Sequence, residues 1–166
     1  KFFEVAANNF SWLQLLFLQP ITFIMTDTID KVLFKTFDHA VLEKVTGHPD
    51  VLIVTATKDY IPFKEFKEIF NTIGETVKGE GIKKLIFDKR ALKVFHQPSM
   101  EWYFAEWKEE MYDHGLTQHR KLLPDDHSFK VSVRIGRENI DKKYPNAKYH
   151  KLDIIYKSNV EEAILF

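Results

Sequence analysis

Residues 60–90 read YIPFKEFKEIFNTIGETVKGEGIKKLIFDKR. The apolar side chains in the first half of this stretch recur every three or four positions, which is the spacing of one face of an α-helix. They are Phe63, Phe66, Phe70, Ile73 and Val77. Pro62 suits a first helical turn, where its missing amide would have no partner, and Gly79 and Gly81 can end the helix. The stretch predicts an amphipathic helix that needs a surface to pack on, because such a helix is not stable alone.

Two short apolar runs flank the predicted helix, at residues 51–57 before it and 85–88 after it. The order strand, helix, strand predicts two parallel strands joined by a right-handed crossover. Because residues 85–87 are apolar at every position, we expect that strand to be covered on both faces. Alternating residues at 32–36 and a second short run at 40–45 predict an antiparallel meander ahead of this unit.

Three more helices, alternating with two strands, are predicted after residue 90. The helices are expected at 98–114, at 129–140 and after a capping box of Ser158 and Glu161, and the strands at 122–123 and 152–156. The first of these helices has one apolar face, formed by Met100, Tyr103, Phe104, Trp107 and Met111. Trp102 falls roughly opposite, where either a neighbouring loop covers it or a partner or ligand contacts it.

The composition fits one folded domain. The 166 residues are 45% hydrophobic and 14% aromatic, enough to bury a single substantial core. Lysine plus arginine and aspartate plus glutamate number 24 each, so no net charge attracts nucleic acid or a membrane to residues 25–166, and neither is an expected partner. The absence of cysteine excludes disulfides, thiolate metal sites and cysteine nucleophiles, and favours a reducing, cytoplasmic location.

Residues 1–24 are predicted to be an apolar N-terminal extension that precedes a single domain at 25–166. The run at 10–25 is largely apolar, but two glutamines and a proline interrupt it and it is short for a membrane span. Three interpretations stay open. The extension is sequence upstream of a start at Met25, an additional element of the domain, or a membrane or export segment.

Four short motifs occur in the order found in one known family. They are Leu-Ile-Phe-Asp-Lys-Arg at 85–90, Glu101-Trp102 followed by Trp107, Leu-Leu-Pro-Asp-Asp at 122–126 ahead of Phe129, and Glu-Glu-Ala-Ile-Leu-Phe at 161–166. With these motifs and the element order β-β-β-α-β-α-β-α-β-α, residues 30–166 resemble the anti-sigma-factor antagonist family, also called SpoIIAA-like or STAS-like, and in particular a bacterial branch of it. The resemblance implies an α/β fold in which a mixed sheet of about five to six strands carries about three to four helices.

Members of this family that act as phosphoswitches carry a serine after the strand equivalent to 85–88. This chain has Asp-Lys-Arg-Ala at 88–91, and its next serine or threonine is Ser99. The resemblance therefore implies a member without the phosphoserine switch. Such a member would be a non-enzymatic regulatory module, or a module that binds a ligand or a partner.

The predicted binding site lies at the carboxyl end of the strand at 85–88, where ligands of open parallel sheets tend to bind. Its residues are Asp88, Lys89, Arg90, His96 and Trp102. The expected occupant is a protein partner or a small apolar ligand, and no cofactor is expected. A charged trio after a strand is also typical of a solvated loop with a local ion pair, and this alternative stays open.

Basic residues recur at helical spacing on the third predicted helix and form a basic face. They are Lys130, Arg134 and Arg137. This face is either solvated or a docking surface for a partner or for a second copy of the chain, as in a homodimer. No aromatic residues are interleaved with the basic ones, so nucleic acid is not expected there.

A metal site is not predicted. His114, His119 and residues 125–127 offer nitrogen and oxygen ligands, but their spacing matches no compact metal motif. Residues 125–128 are also explained as a helix-capping cluster.

Two alternatives to a binding module stay open. The first is a small enzyme in which Asp88 acts as general acid or base beside Arg90 and His96. The second is a structural protein that forms oligomers. A serine hydrolase and a phosphate-binding loop are not predicted, since no serine lies in a G-x-S-x-G elbow and no glycine cluster joins a strand to a helix.

Overall fold

The computed structural model of the protein describes residues 29–166. The predicted N-terminal extension at 1–24 lies outside these residues. Within them the chain has an α/β fold, in which helices cover both faces of a six-stranded mixed sheet. This general class is the one predicted from the order of the elements.

The strands follow one another across the sheet in chain order. They are β1 Lys31–Thr36, β2 Ala40–Val45, β3 His48–Ala56, β4 Lys84–Asp88, β5 Gln118–Leu122 and β6 Asp153–Tyr156. β1, β2 and β3 pair antiparallel, which confirms the predicted meander. β3 to β6 pair parallel, and the pairing of β3 with β4 confirms the predicted strand–helix–strand unit.

Helices connect the parallel strands and follow the last one. They are α1 Phe63–Glu80, α2 Gln97–Trp102, α3 Lys108–Asp113, α4 His127–Lys143 and α5 Val160–Leu165. A π-helical turn, Tyr103–Trp107, joins α2 to α3, so these three segments run on as one composite helix. A 3₁₀ turn, Lys148–Lys151, precedes β6. None of the helices between residues 29 and 166 has the length and hydropathy needed to cross a bilayer.

α1 packs on the sheet through its predicted apolar face. Phe63 in the first turn is half-buried, and the other members of the face are buried. They are Phe66, Phe70, Ile73 and Val77. Gly81 ends the helix with a φ of 71°, a left-handed conformation that favours glycine.

β4 is covered on both faces, as its continuous apolar sequence predicted. Leu85 and Phe87 point to the core formed with α1, the composite helix and α4, on what we call the α1 face of the sheet. Ile86 packs on the opposite side with α5, on the α5 face. All three side chains are at most 1% exposed.

The composite helix buries the apolar face predicted for it, from Met100 to Met111. Trp107 Nε1 donates a 2.6 Å hydrogen bond to the main-chain oxygen of Phe70, which joins the composite helix to α1. The π turn in its middle is an insertion of one residue into the α-helical hydrogen-bond pattern.

The positions of β5 and of the α5 cap differ from the predictions. The sequence predicts a strand at 122–123, whereas β5 begins at Gln118, because the strand is polar and no apolar run marks it. α5 is capped by Asn159 and not by Ser158. The Asn159 side chain accepts a 2.8 Å hydrogen bond from the Glu162 amide, which an asparagine does as well as a serine.

Candidate functional site

A cavity of about 50 Å³ lies on the α1 face at the carboxyl end of β4. Its apolar walls come from Phe66, Phe87, Met100, Tyr103, Phe129 and Val133. Lys89, His96 and Ser99 add polar groups. The cavity has room for about three to five water molecules, or for a short hydrocarbon chain. Apolar walls with a few polar groups are typical of small-molecule sites.

Residues 89–96 form one wall of the cavity and are fixed by main-chain hydrogen bonds. The Lys89 amide donates to the Leu122 carbonyl at 2.9 Å, which ties the start of the segment to the end of β5. The amides of residues 93 and 94 donate to the Asp59 carbonyl at 2.8 and 3.1 Å. The wall is therefore part of the fold, although it has no regular secondary structure.

Gly136 of α4 lets this wall approach the helix closely. A Cβ at this position would lie 2.5 Å from Phe95 Cζ and 2.4 Å from Gln97 Oε1. Any other residue would push the Phe95 ring away, so Gly136 keeps Phe95 in its place beside the cavity.

His96 caps α2 and faces the cavity at the same time. Its Nδ1 accepts from the Ser99 amide at 3.3 Å and lies 2.7 Å from Ser99 Oγ. The imidazole packs against Phe63 and Tyr60, with ring centroids 5.8 and 6.1 Å away. The capping hydrogen bond therefore helps to fix the orientation of the ring.

Three lysines are buried next to the cavity. Lys89 is 9% exposed, Lys121 1% and Lys108 0%. Within residues 29–166, neither Lys108 Nζ nor Lys121 Nζ has a hydrogen-bond partner. Lys108 Nζ lies 3.7 Å and Lys121 Nζ 4.5 Å from the centroid of the Phe104 ring, so aromatic faces replace hydrogen-bond acceptors around them.

Burial lowers the pKa of these amines, and they lower one another's. Burial reduces the pKa of Lys89 to about 8. The pKa of Lys108 is held well below its usual value, first by burial and then by the charges of Lys121 and Arg137. The pKa of Lys121 is also well below its usual value, because of burial and then Lys89. Burial and the same cations also hold the pKa of His119 well below its usual value. The three lysines and His119 therefore lack enough nearby negative charge to stabilise their protonated forms.

The acid whose charge acts on both Lys108 and Lys121 already accepts hydrogen bonds. Asp141 acts on Lys108 and Lys121, but its Oδ1 accepts from Arg137 Nε at 2.7 Å and from the Tyr149 hydroxyl at 3.0 Å. A buried charge that lacks a partner is costly, so an anion from outside would be stabilised at this place.

Asp88 and Arg90, two of the predicted site residues, lie away from the cavity. Asp88 alternates with Phe87 along β4 and so points to the α5 face, where it is 5% exposed. Its carboxylate accepts from Arg90 Nη2 at 2.7 Å and from Arg90 Nε at 3.0 Å. This is the local ion pair of the alternative interpretation. Asp88 is not brought together with His96, which lies on the α1 face.

Trp102 lies in a third place, against α1. Its ring is half-buried, with centroids 6.3 Å from Phe66 and 6.5 Å from Phe63, and the Lys67 amine lies 5.2 Å above it. The neighbour that covers Trp102 is thus a helix, whereas the sequence suggested a loop. Of the five predicted site residues, only Lys89 and His96 line the cavity.

The predicted basic face of α4 is largely neutralised by nearby acids. Lys130 binds Asp125 at 2.8 Å, and Arg134 binds Glu138 at 3.0 Å. Arg137 is mostly buried, and its guanidinium lies 4.1 Å from the Phe104 ring centroid, beside the buried lysines. Arg137 therefore belongs more to the buried amine group than to an exposed surface.

Lys108 and Lys121 were not predicted as site residues. Lys108 follows Phe104 by four residues, which places it at the flank of the predicted apolar face. Lys121 lies two residues after His119 on the same face of β5, but no apolar run marks that strand in the sequence. Spacing alone did not show that these two lysines are buried, because lysine side chains are usually exposed.

No protein-family model, no curated protein and no solved structure matches this chain. The resemblance to the STAS-like family therefore stays a prediction. Among residues 29–166, no three histidine, aspartate or glutamate side chains come together in a way that could hold a metal ion.

Proposed function

We propose that this protein is a non-enzymatic binding module with a STAS-like fold, and that its ligand is a small, largely apolar molecule. The ligand would occupy the cavity at the carboxyl end of β4. The observation that carries the proposal is the combination of apolar walls with three polar side chains in that cavity.

The order of elements supports the family part of the proposal. An antiparallel β1–β2–β3 meander leads into parallel strands that alternate with helices. The resemblance rests on the same order. The cavity also lies where parallel sheets tend to bind ligands, beyond the carboxyl ends of β4 and β5.

Acid–base chemistry at Asp88 has less support than binding. Both carboxylate oxygens accept hydrogen bonds from Arg90, and the cavity lies on the other face of the sheet. A general base needs access to its substrate's proton, and this carboxylate is 5% exposed. A binding role for the cavity requires no such access to Asp88.

Filling the cavity with a side chain tests the proposal. In Val133→Phe an additional ring would occupy the space, whereas Ile135→Phe places the same ring at a 47%-exposed position of the same helix. We expect benzene and 1-butanol to shift the amide NMR signals of cavity residues in the wild type and in Ile135→Phe, but not in Val133→Phe.

Circular dichroism would first establish that both variants are folded. The binding proposal fails if neither probe shifts cavity signals in the wild type. It also fails if the shifts persist unchanged in folded Val133→Phe, because the probes would then bind elsewhere.

A further inference from the structure

Building on the proposed binding role, we propose that the ligand is a short-chain carboxylate. Its anionic group is held by Lys89 at the polar end of the cavity, and its hydrocarbon chain lies against the apolar walls. Lys108 and Lys121 are two further buried amines whose protonated forms that anion would favour.

The position of Lys89 supports this arrangement. It lines the cavity at the end of β4, and its amine lies 4.6 Å from the centroid of Phe87, another wall residue. Its main chain is fixed to β5 by the hydrogen bond to Leu122. An ammonium group so placed is removed from water and gains most from an anionic partner.

The two lysines behind it strengthen the preference for an anion. In the part of the chain that the structure describes, neither Lys108 Nζ nor Lys121 Nζ has a hydrogen-bond partner. Both are within the electrostatic influence of Lys89. A carboxylate at Lys89 would favour the protonated form of all three amines.

The walls of the cavity define the rest of the ligand. Its lining is mainly aromatic and aliphatic, and its volume of about 50 Å³ holds only a few carbon atoms. A phosphate dianion would need more donors than the one amine that reaches the cavity. A monoanionic carboxylate with a short apolar chain suits both the single amine and the walls.

Butanoate and 1-butanol are a matched pair of probes, because they share a chain and differ in charge. In NMR titrations at pH 7 we expect butanoate to bind wild-type protein about 10-fold more tightly than 1-butanol, since a hydrogen bond to a charged group is worth about that factor or more. Lys89→Met should remove this preference and leave 1-butanol binding within about 2-fold. Lys93→Met, at an exposed position of the same wall, is the control and should behave as wild type.

The pH dependence gives an independent readout that does not need a variant. The pKa of Lys89 without ligand is about 8, so butanoate affinity should fall as pH rises from 7 to 9.5, while 1-butanol affinity stays constant. Other titratable or charged groups surround Lys89 on the elements packed against it. They are His96, Tyr103, Lys108, His119, Lys121, Arg137 and Asp141.

Each outcome is decisive. If 1-butanol and butanoate bind equally and Lys89→Met changes neither, the carboxylate inference is wrong while the binding module stands. If inorganic phosphate or chloride competes with butanoate at equal concentration, the site takes a simple anion and the inference is also wrong. If neither probe binds to the cavity, the proposed function itself fails.

Discussion

Lys108 Nζ lies 3.7 Å from the centroid of the Phe104 ring, in the core of the protein. No hydrogen-bond acceptor among residues 29–166 reaches this amine, which is 0% exposed. The contact with the aromatic ring offsets part of the desolvation cost of the amine, but a hydrogen-bonded ion pair would offset more. The amine is therefore a source of instability that the rest of the core must offset.

Replacing Lys108 by methionine should stabilise the protein without ligand. Methionine has a similar length and no polar atom, so Lys108→Met removes the desolvation cost of a buried amine. We expect the free energy of unfolding at pH 7 to rise by about 1–3 kcal/mol. Urea denaturation measures this free energy. The control Lys130→Met, at an exposed position of α4, should change the free energy of unfolding by less than about 0.5 kcal/mol. A loss of stability in Lys108→Met would mean that the amine has a partner.

Stability should rise with pH between about 7 and 9.5. Burial lowers the pKa of Lys89 to about 8 and holds the pKa values of Lys108 and Lys121 well below their usual value. These lysines therefore bind fewer protons in the folded than in the unfolded chain. The penalty from Lys89 is complete below pH 8 and is relieved as the pH approaches the unfolded value of about 10.4.

Each amine that is neutral when folded and charged when unfolded adds about 1.4 kcal/mol of stability per pH unit in this range. Above about pH 10 the trend should reverse, because burial raises the pKa of Tyr103 and of Tyr149. Urea midpoints at pH 7, 8, 9 and 9.5 measure the slope, which should be shallower in Lys108→Met. A flat profile in the wild type would show that these lysines bind the same number of protons in the folded and unfolded chain.

Gly136→Ala should weaken binding in the cavity. The added methyl group would overlap Phe95 Cζ, so the wall at 89–96 would move outward and the cavity would lose its closure. Gly79→Ala is the matched control, since nothing lies within 4 Å of its Cβ position in α1. Gly79→Ala should raise stability by about 0.5–1 kcal/mol and leave probe binding unchanged. Equal probe affinity in both variants would show that Phe95 does not shape the cavity.

Trp107→Phe should destabilise the protein by about 1–3 kcal/mol. The substitution leaves the aromatic packing largely in place but removes the 2.6 Å hydrogen bond to the Phe70 main-chain oxygen, which then stays buried without that donor. Trp102→Phe, on the half-buried side of the composite helix, should cost less. Thermal unfolding of the two variants compares them, and equal losses would argue that packing and not the hydrogen bond determines the effect.

The apolar elements could be predicted from the sequence because burial follows periodicity. The spacing of apolar residues predicted the buried face of α1, the coverage of β4 on both faces and the buried face of the composite helix. The structure has all three. Gly81 and Asp126 also end and cap helices as their residue types suggest.

The candidate site was predicted only in part, because its polar members are buried against expectation. Lysine is among the residues most often exposed, so Lys108 and Lys121 gave no reason to be placed in the core. Their burial follows from tertiary position, which spacing alone does not supply. Asp88 is separated from His96 for a different reason, because strand alternation sends Phe87 and Asp88 to opposite faces of the sheet and the cavity with His96 lies on the face of Phe87.

The π turn at Tyr103–Trp107 accommodates one extra residue, and it thereby determines which side chains of α3 face the interior. If the same residues formed an ordinary α-helix, the extra residue would no longer be accommodated and α3 would be rotated by about 100° relative to α2. That rotation would carry Lys108 out of the interior. The burial of Lys108 thus depends on the hydrogen-bond pattern of the composite helix as well as on its sequence.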